Sequence, residues 1–223
     1  MSRAARATAL IAAAGSGERL GAGGPKALVP LGGRPMLQWS LDAFAAASTI
    51  GAAVVAAPPE LAGGLDAGGA AVVAGGETRS QSVALALEAV ETELVVVHDA
   101  ARPLVTAGLI DAVVGALDAD EEADGVVAAA PVTDTIKQVG EGSAVERTLD
   151  RSALWAVQTP QAFRSAALRE AAEAADLSAA TDDAMIVEKA GGRVLVHAAP
   201  ADNLKVTTAL DLRLAELLLA ERR

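Results

Sequence analysis

Three glycines, Gly15, Gly17 and Gly21, punctuate the run Ala12-Ala13-Ala14-Gly15-Ser16-Gly17-Glu18-Arg19-Leu20-Gly21, and Pro25-Lys26 follows shortly after. Small residues in such a run leave successive main-chain N–H groups open, and a ring of N–H groups can wrap a triphosphate. Gly15, Ser16 and Gly17 are therefore candidates for a phosphate cradle. Arg19 and Lys26 flank the same turn in a chain whose formal net charge is -11. Two fixed cations beside cradled phosphates neutralise the charge that develops during phosphoryl transfer. Two common phosphate loops do not fit. A dinucleotide fingerprint needs its third glycine where Leu20 stands, and a Walker loop needs Gly-Lys-Ser/Thr where Pro25-Lys26 stands.

A second set of chemistry-bearing residues lies further on. Val97-His98-Asp99 closes an apolar run, and a carboxylate at such a tip can orient a polyol hydroxyl or help hold a hydrated metal. His98 reads as structural, because a phosphate nucleophile is already ionised near neutrality and needs no strong base. Arg102, Arg151 and Lys205 are of the types that grip phosphate, Arg through its planar fork. Read singly, each is equally a solvated surface charge. Thr135, Thr159 and Thr181 offer hydroxyl donors, and Thr181 also suits a helix N-cap. Gly76 allows main chain to approach a flat ligand closely, and Glu77 can accept from a ribose hydroxyl. Ser82 either helps fix a base or merely starts a helix.

The elements that must position these residues are legible as alternation. Strands are expected at Thr8–Ala14, Ala52–Ala57, Ala70–Ala74, Leu94–His98 and Gly125–Ala130, nearly continuous in Ala, Val and Leu, as for strands covered on both faces. Helices are expected near Pro35–Ala47, with Pro35 in the first helical position, and at Ser80–Val90 and Ala107–Leu117. This alternation implies an α/β fold with a mainly parallel, Rossmann-like sheet flanked by helices. Ligands of such sheets sit at the carboxyl ends of the strands, which are the loops after Ala14 and His98. Beyond Pro131 the pattern changes. Thr135–Val139 and Ala144–Leu149 read as a hairpin around Gly140-Glu141-Gly142, followed by an extended piece at Leu154–Gln158. Helices at Arg164–Ala175 and Thr181–Ala190, the latter closed by Gly191, then a strand at Arg193–His197 and a helix from Thr208 to Arg222 complete the chain. The whole, 1–223, reads as one domain with a protruding β-hairpin arm at about 132–156.

The ordered series of motifs resembles a known family. Ala-Ala-Ala-Gly-x-Gly-x-Arg with Pro-Lys resembles the nucleotidyltransferases that activate sugars and polyols. The set continues with Gly75-Gly76-Glu77-Thr78-Arg79-Ser80-Gln81-Ser82-Val83, Val97-His98-Asp99-Ala100-Ala101-Arg102-Pro103, Asp134-Thr135-Ile136-Lys137 and Leu149-Asp150-Arg151. It ends with Leu154-Trp155, Gln158-Thr159-Pro160-Gln161, Thr181-Asp182-Asp183 and Asn203-Leu204-Lys205-Val206-Thr207. Together these are similar to the 2-C-methyl-D-erythritol 4-phosphate cytidylyltransferases of the non-mevalonate isoprenoid route. The resemblance implies CTP as donor, a polyol phosphate as acceptor, and Mg²⁺ or another divalent cation on the triphosphate, with the protein's own metal ligands left open. It places Ala13 and Ala14 main chain, with Gly76, against the cytosine, and Asp99 against the methylerythritol. It makes Arg102, Arg151 and Lys205 the anchors of the acceptor phosphate and Arg19, Lys26 and Lys205 the catalytic cations. Glu77 stands where the family often has Asp. The arm would exchange between the subunits of a homodimer, so that Thr135 and Arg151 complete the neighbour's pocket. Ribitol 5-phosphate as acceptor, and a non-catalytic nucleotide-binding regulator on the same fold, remain as alternatives, since a pocket discriminates a methyl group only weakly.

Composition narrows the field. With 52% hydrophobic and 21% charged residues the chain is an ordinary globular one, but aromatics are 2% and Tyr is absent. Stacking platforms for single-stranded nucleic acid are thus nearly lacking, and the acidic balance disfavours a polyanion surface. There is no Cys, which removes disulfides, thiolate metal sites and thiol nucleophiles and fits a cytoplasmic protein. Arg3, Arg6 and the apolar run to Ala14 mimic a short signal peptide, but a buried first strand is the better reading, since cleavage would remove the glycine loop. No apolar run reaches the ~18 residues of a membrane span. A dehydrogenase is disfavoured by the glycine spacing, and a fusion to the cyclase of the same route by length.

Overall fold

In a computed structural model, residues 6–15, 17, 20 and 24–222 are described. A seven-stranded sheet forms the centre. Its strands are β1 (Ala7–Ala12), β4 (Ile50–Ala57), β5 (Ala71–Ala74), β6 (Leu94–Asp99), β7 (Gly125–Pro131), β10 (Trp155–Arg164) and β11 (Val194–Ala198), in the order β11-β7-β10-β6-β1-β4-β5. β1 lies parallel to β4 and β6, β4 to β5, and β11 to β7. β10 alone runs antiparallel, between β6 and β7.

Alternation along β1 explains the layers. Ala7, Ala9 and Ile11 pack with Leu37, Leu41 and Phe44 of α1 (Met36–Ala46) and Ile110, Val113 and Leu117 of α3 (Ala107–Ala119). Leu10 faces the other way, with Val83 and Leu87 of α2 (Arg79–Leu87), Leu168 of α4 (Ser165–Ala174) and Ile186 of α5 (Asp183–Lys189). Both faces of β1 are covered, which is why it is almost continuously apolar. A smaller cluster of Val29, Leu31, Met36, Leu104 and Val206 seats α6 (Ala209–Glu221) through Ala215 and Leu219.

Local signals set the helix starts. Thr78 and Gln81 form a capping box on α2, Thr208 and Asp211 one on α6, and Thr106 caps α3. Gly191, at φ +89°, closes α5 as expected. Four details differ from expectation. β1 ends at Ala12, freeing Ala13 and Ala14 from the strand. Pro35 caps α1 rather than opening it, because Arg34–Pro35 (β3) pairs with Pro30–Leu31 (β2). Thr181 is not the cap of α5; Asp182 is, accepting from Met185 N. The extended piece near Leu154 runs on to Arg164 as β10, although Gln158, Thr159 and Gln161 interrupt its apolar pattern. Those side chains are buried with hydrogen-bond partners, which a one-dimensional pattern does not register. The hairpin is present as β8 (Lys137–Val139) and β9 (Val145–Thr148), exposed along its length.

Candidate functional site

At the carboxyl ends of β1 and β6 a cavity of about 610 Å³ opens between the glycine segment and the loop before α2. The glycine segment is drawn tight. Ala13 N still donates to Ala56 O of β4 at 2.8 Å, and Lys26 N returns to Gly15 O at 3.0 Å. Gly17 holds φ +74°, and a Cβ there would lie 2.8 Å from Gly24 O, so the two limbs approach this closely only around glycine. Lys26, opening a 3-10 turn to Leu28, lines the cavity with Ala13, Ala14, Gly15 and Gly17. Ser16 and Arg19 lie outside the described residues.

The opposite wall is Gly76, Glu77 and Ser82. Ser82 does not start the helix, since Thr78 is the cap. Its Oγ accepts from Gly76 N at 3.0 Å and donates to Thr78 O at 2.9 Å, pinning the loop. Gly75 brings that loop onto the cradle: a Cβ there would stand 2.7 Å from Ala14 Cβ and 2.8 Å from Ser82 Oγ. A Cβ on Gly76 would strike Gln81 Cβ at 2.6 Å, so this glycine also makes room for the capping box.

A second cavity of about 240 Å³ adjoins the first and shares Arg79, Asp99 and Lys205 with it; Arg102, Thr159 and Thr181 also line it. Asp99 is the hinge between the two. Arg79 Nε donates to its Oδ1 and Lys205 Nζ to its Oδ2, both at 2.6 Å. Burial works to raise this carboxyl, but Arg79 and then Lys205 outweigh it and hold Asp99 well below the usual carboxylate range. Arg79 Nη1 reaches Asp183 Oδ2 at 2.7 Å. Burial disfavours the guanidinium charge, yet Asp183 and Asp99 together keep Arg79 more firmly protonated than a free arginine.

His98 is fully buried, and burial depresses its pKa to about 3, so the ring is neutral. Its Nε2 lies 3.2 Å from Arg102 O, an acceptor, which assigns the ring proton to Nε2. Nδ1 then accepts from Thr159 Oγ1 at 3.0 Å, and that same oxygen accepts from Asp99 N at 3.1 Å. Thr159 thus spends its hydroxyl on holding Asp99 and His98, in place of the free donor expected of it. Arg102 is anchored through Nη1 to Asn203 O at 2.8 Å, and buried Asn203 donates in turn to Gln158 Oε1 and Thr159 O. Thr181 is exposed, with Oγ1 3.5 Å from Met185 Sδ.

Lys26, Asp99, Arg102 and Lys205 are brought together with both glycine loops; Thr135 and Arg151 are not. Both are exposed on the arm and line neither cavity, and Arg151 donates to Thr133 O beside it. Arg79 and Asp183 had no assigned role in the sequence, although both fall in its motifs. Their signal was an arginine in the first turn of α2 and a doubled Asp at the start of α5, and only the tertiary pairing gives these meaning. Among the described residues, no group of three or more His, Asp or Glu is arranged to hold a metal, and no helix is long and apolar enough to cross a membrane.

The family model for 2-C-methyl-D-erythritol 4-phosphate cytidylyltransferase matches residues 7–221. A protein of that name from Streptomyces coelicolor is 47% identical, covering 98% of this chain and 87% of its own length. The crystal structure of 2-C-methyl-D-erythritol 4-phosphate cytidylyltransferase from Thermus thermophilus superposes with a TM-score of 0.79 at 40% identity, covering 96% of this chain and 98% of that one. That of 4-diphosphocytidyl-2C-methyl-D-erythritol synthase from Anaerococcus prevotii gives 0.82 at 26% identity, covering 96% of each.

Proposed function

The chain belongs to the 2-C-methyl-D-erythritol 4-phosphate cytidylyltransferase family, and from that premise we propose how its two joined cavities work. It is a CTP-dependent cytidylyltransferase of isoprenoid precursor synthesis. It transfers CMP from CTP to 2-C-methyl-D-erythritol 4-phosphate, giving 4-diphosphocytidyl-2-C-methyl-D-erythritol and pyrophosphate. The observation that carries the reading is the meeting of the two cavities at Asp99 and Lys205, beside a glycine cradle and Lys26.

The nucleotide lies in the larger cavity, cytosine against Ala13, Ala14 and Gly76, ribose toward Glu77, and triphosphate on the Gly15–Gly17 main chain. The acceptor lies in the smaller one, its hydroxyls on Asp99 and its phosphate among Arg102, Thr181 and Lys205. A phosphate oxygen of the acceptor attacks the α-phosphorus of CTP in line, the bond to the bridging oxygen breaks, and pyrophosphate departs with the electron pair. Lys26, with Arg19, offsets the charge gathering on the α-phosphoryl group. The attacking oxygen is already ionised, so the neutral ring of His98 has no proton to take.

Both oxygens of Asp99 already carry a cation, and no acidic cage faces the cradle among the described residues. This donor set fits Mg²⁺ arriving as the nucleotide complex, ligated by phosphate oxygens and water in the way that ion prefers. Bound so, it would screen the triphosphate charge. Thr135 and Arg151 act in the acceptor cavity of the partner in a homodimer, supported by an arm that exposes Val139, Val145 and Trp155. A reaction that consumes CTP places the protein in the cytoplasm on this reading.

Incubation with CTP, Mg²⁺ and either 2-C-methyl-D-erythritol 4-phosphate or ribitol 5-phosphate tests the reading directly. Pyrophosphate release with the first and little with the second is expected; preference for ribitol 5-phosphate, or none with either, overturns it.

A further inference from the structure

Arg79, the first residue of α2, lies between two carboxylates that are distant in the chain. Its Nε meets Asp99 Oδ1 and its Nη1 meets Asp183 Oδ2, joining the tip of β6 to the first turn of α5. A planar guanidinium can hold two carboxylates in different directions at once; a lysine ammonium on a flexible stem cannot keep the same geometry. Asp183 is fully buried, and its Oδ1 has no partner among the described residues, so Arg79 is its principal source of compensation.

Asp99 is thereby fixed from three sides, by Arg79, by Lys205 and through its own N–H by Thr159. The two side-chain cations are not equivalent. Lys205 is 41% exposed, whereas Arg79 is 24% exposed and tied at its far end. An ionised carboxylate offers about four lone-pair sites on its two oxygens, of which these cations use two. Asp99 lines both cavities, and the remaining sites suit a pair of hydroxyls.

We propose that Arg79 is a positioning residue for the polyol acceptor, that Asp183 acts through it, and that together they fix the orientation in which Asp99 receives adjacent hydroxyls of the acceptor. The proposal rests on the functional reading above and adds to it a fixed and an exchangeable cation. Lys205 is free to shift toward an incoming phosphate because Asp99 keeps its place without it. Without Asp183, Arg79 loses its tether and swings into the cavity as a mobile charge.

The test uses the full-length protein with Arg79→Lys, Asp183→Asn and the double substitution, assayed by pyrophosphate release. CTP affinity is measured separately by calorimetry without acceptor. Each single substitution should raise the KM for 2-C-methyl-D-erythritol 4-phosphate by about tenfold or more. The KM and affinity for CTP should rise by clearly less than the acceptor KM, because Arg79 lines both cavities but the carboxylate it fixes is the one that receives the acceptor. The double variant should be little worse than the poorer single one, since both act along one chain of contacts. Equal rises in both KM values would mark general disruption and overturn the proposal, as would an unchanged acceptor KM in Arg79→Lys. Should Asp183→Asn fail to fold, the Arg79→Lys result decides alone. An unsubstituted protein that binds CTP but does not turn over this acceptor would instead bring down the functional reading, and this role with it.

Discussion

Lys205 Nζ lies 2.6 Å from Asp99 Oδ2, a contact between residues 106 apart in the chain and at the junction of the two cavities. An acceptor phosphate arriving there meets a lysine that is half-exposed and already paired with Asp99. Lys205→Ala should lower turnover by on the order of 10²–10³, judged by comparable electrostatic groups. Single-turnover kinetics at saturating CTP would measure it, and near-normal turnover would remove Lys205 from the mechanism.

Asp99, held by Arg79 and then by Lys205, predicts an acid response. Asp99 titrates lower in the folded state than in the unfolded chain, where an aspartate titrates near pH ~3.9. Its contribution to stability is therefore fully present above that value and is lost as pH falls toward the folded value. Urea unfolding between pH 7 and 3 should show stability declining below about pH 4, and Asp99→Asn should decline less steeply. Parallel curves for the two proteins would contradict the assignment.

At the cradle, Lys26→Ala should cost on the order of 10²–10³ in turnover while leaving the fold intact. Circular dichroism checks the fold and pyrophosphate release the turnover. Arg19→Ala should behave alike.

Gly17→Ala tests the tightness of the loop. A side chain at φ +74° costs roughly 1–2 kcal/mol, and its Cβ would press on Gly24 O at 2.8 Å. Weaker CTP binding is expected, with a smaller change in acceptor KM. Unchanged CTP affinity by calorimetry would show that the cradle tolerates opening.

The arm makes a prediction that needs two inactive proteins. On the proposed exchange of arms, Lys26 and Arg151 of one site come from different subunits, so mixing Lys26→Ala with Arg151→Ala would create one intact site in each mixed dimer. Random exchange should restore about a quarter of the unsubstituted activity. No recovery after exchange, in a sample shown by sedimentation to be dimeric, would place Arg151 with its own subunit's cavity.

Much of this was readable along the chain. The glycine segment with Lys26, the helix start at Thr208, and the apolar runs of β1 and β6 are contiguous features whose physics is local. Main-chain amides opened by small residues, a hydroxyl three residues from an orphan N–H, and a buried strand's unbroken apolarity each need only neighbours in sequence. β10 is harder to read because its buried Gln158 and Thr159 find their partners on Asn203 and Asp99, far away in the chain, so polarity suggests an end where the sheet continues.

The amino-acid sequence alone thus determined the class of fold, the family and the residues that could bind a nucleotide. Tertiary structure decided what those residues are used for. Thr159 turned from a free donor into the support of Asp99 and His98, and Arg79 became the bridge between carboxylates 20 and 104 residues away. The reason is physical: a charge or hydroxyl has no fixed role until burial removes water and leaves it one set of partners, and those partners meet only when the sheet brings distant strand tips together.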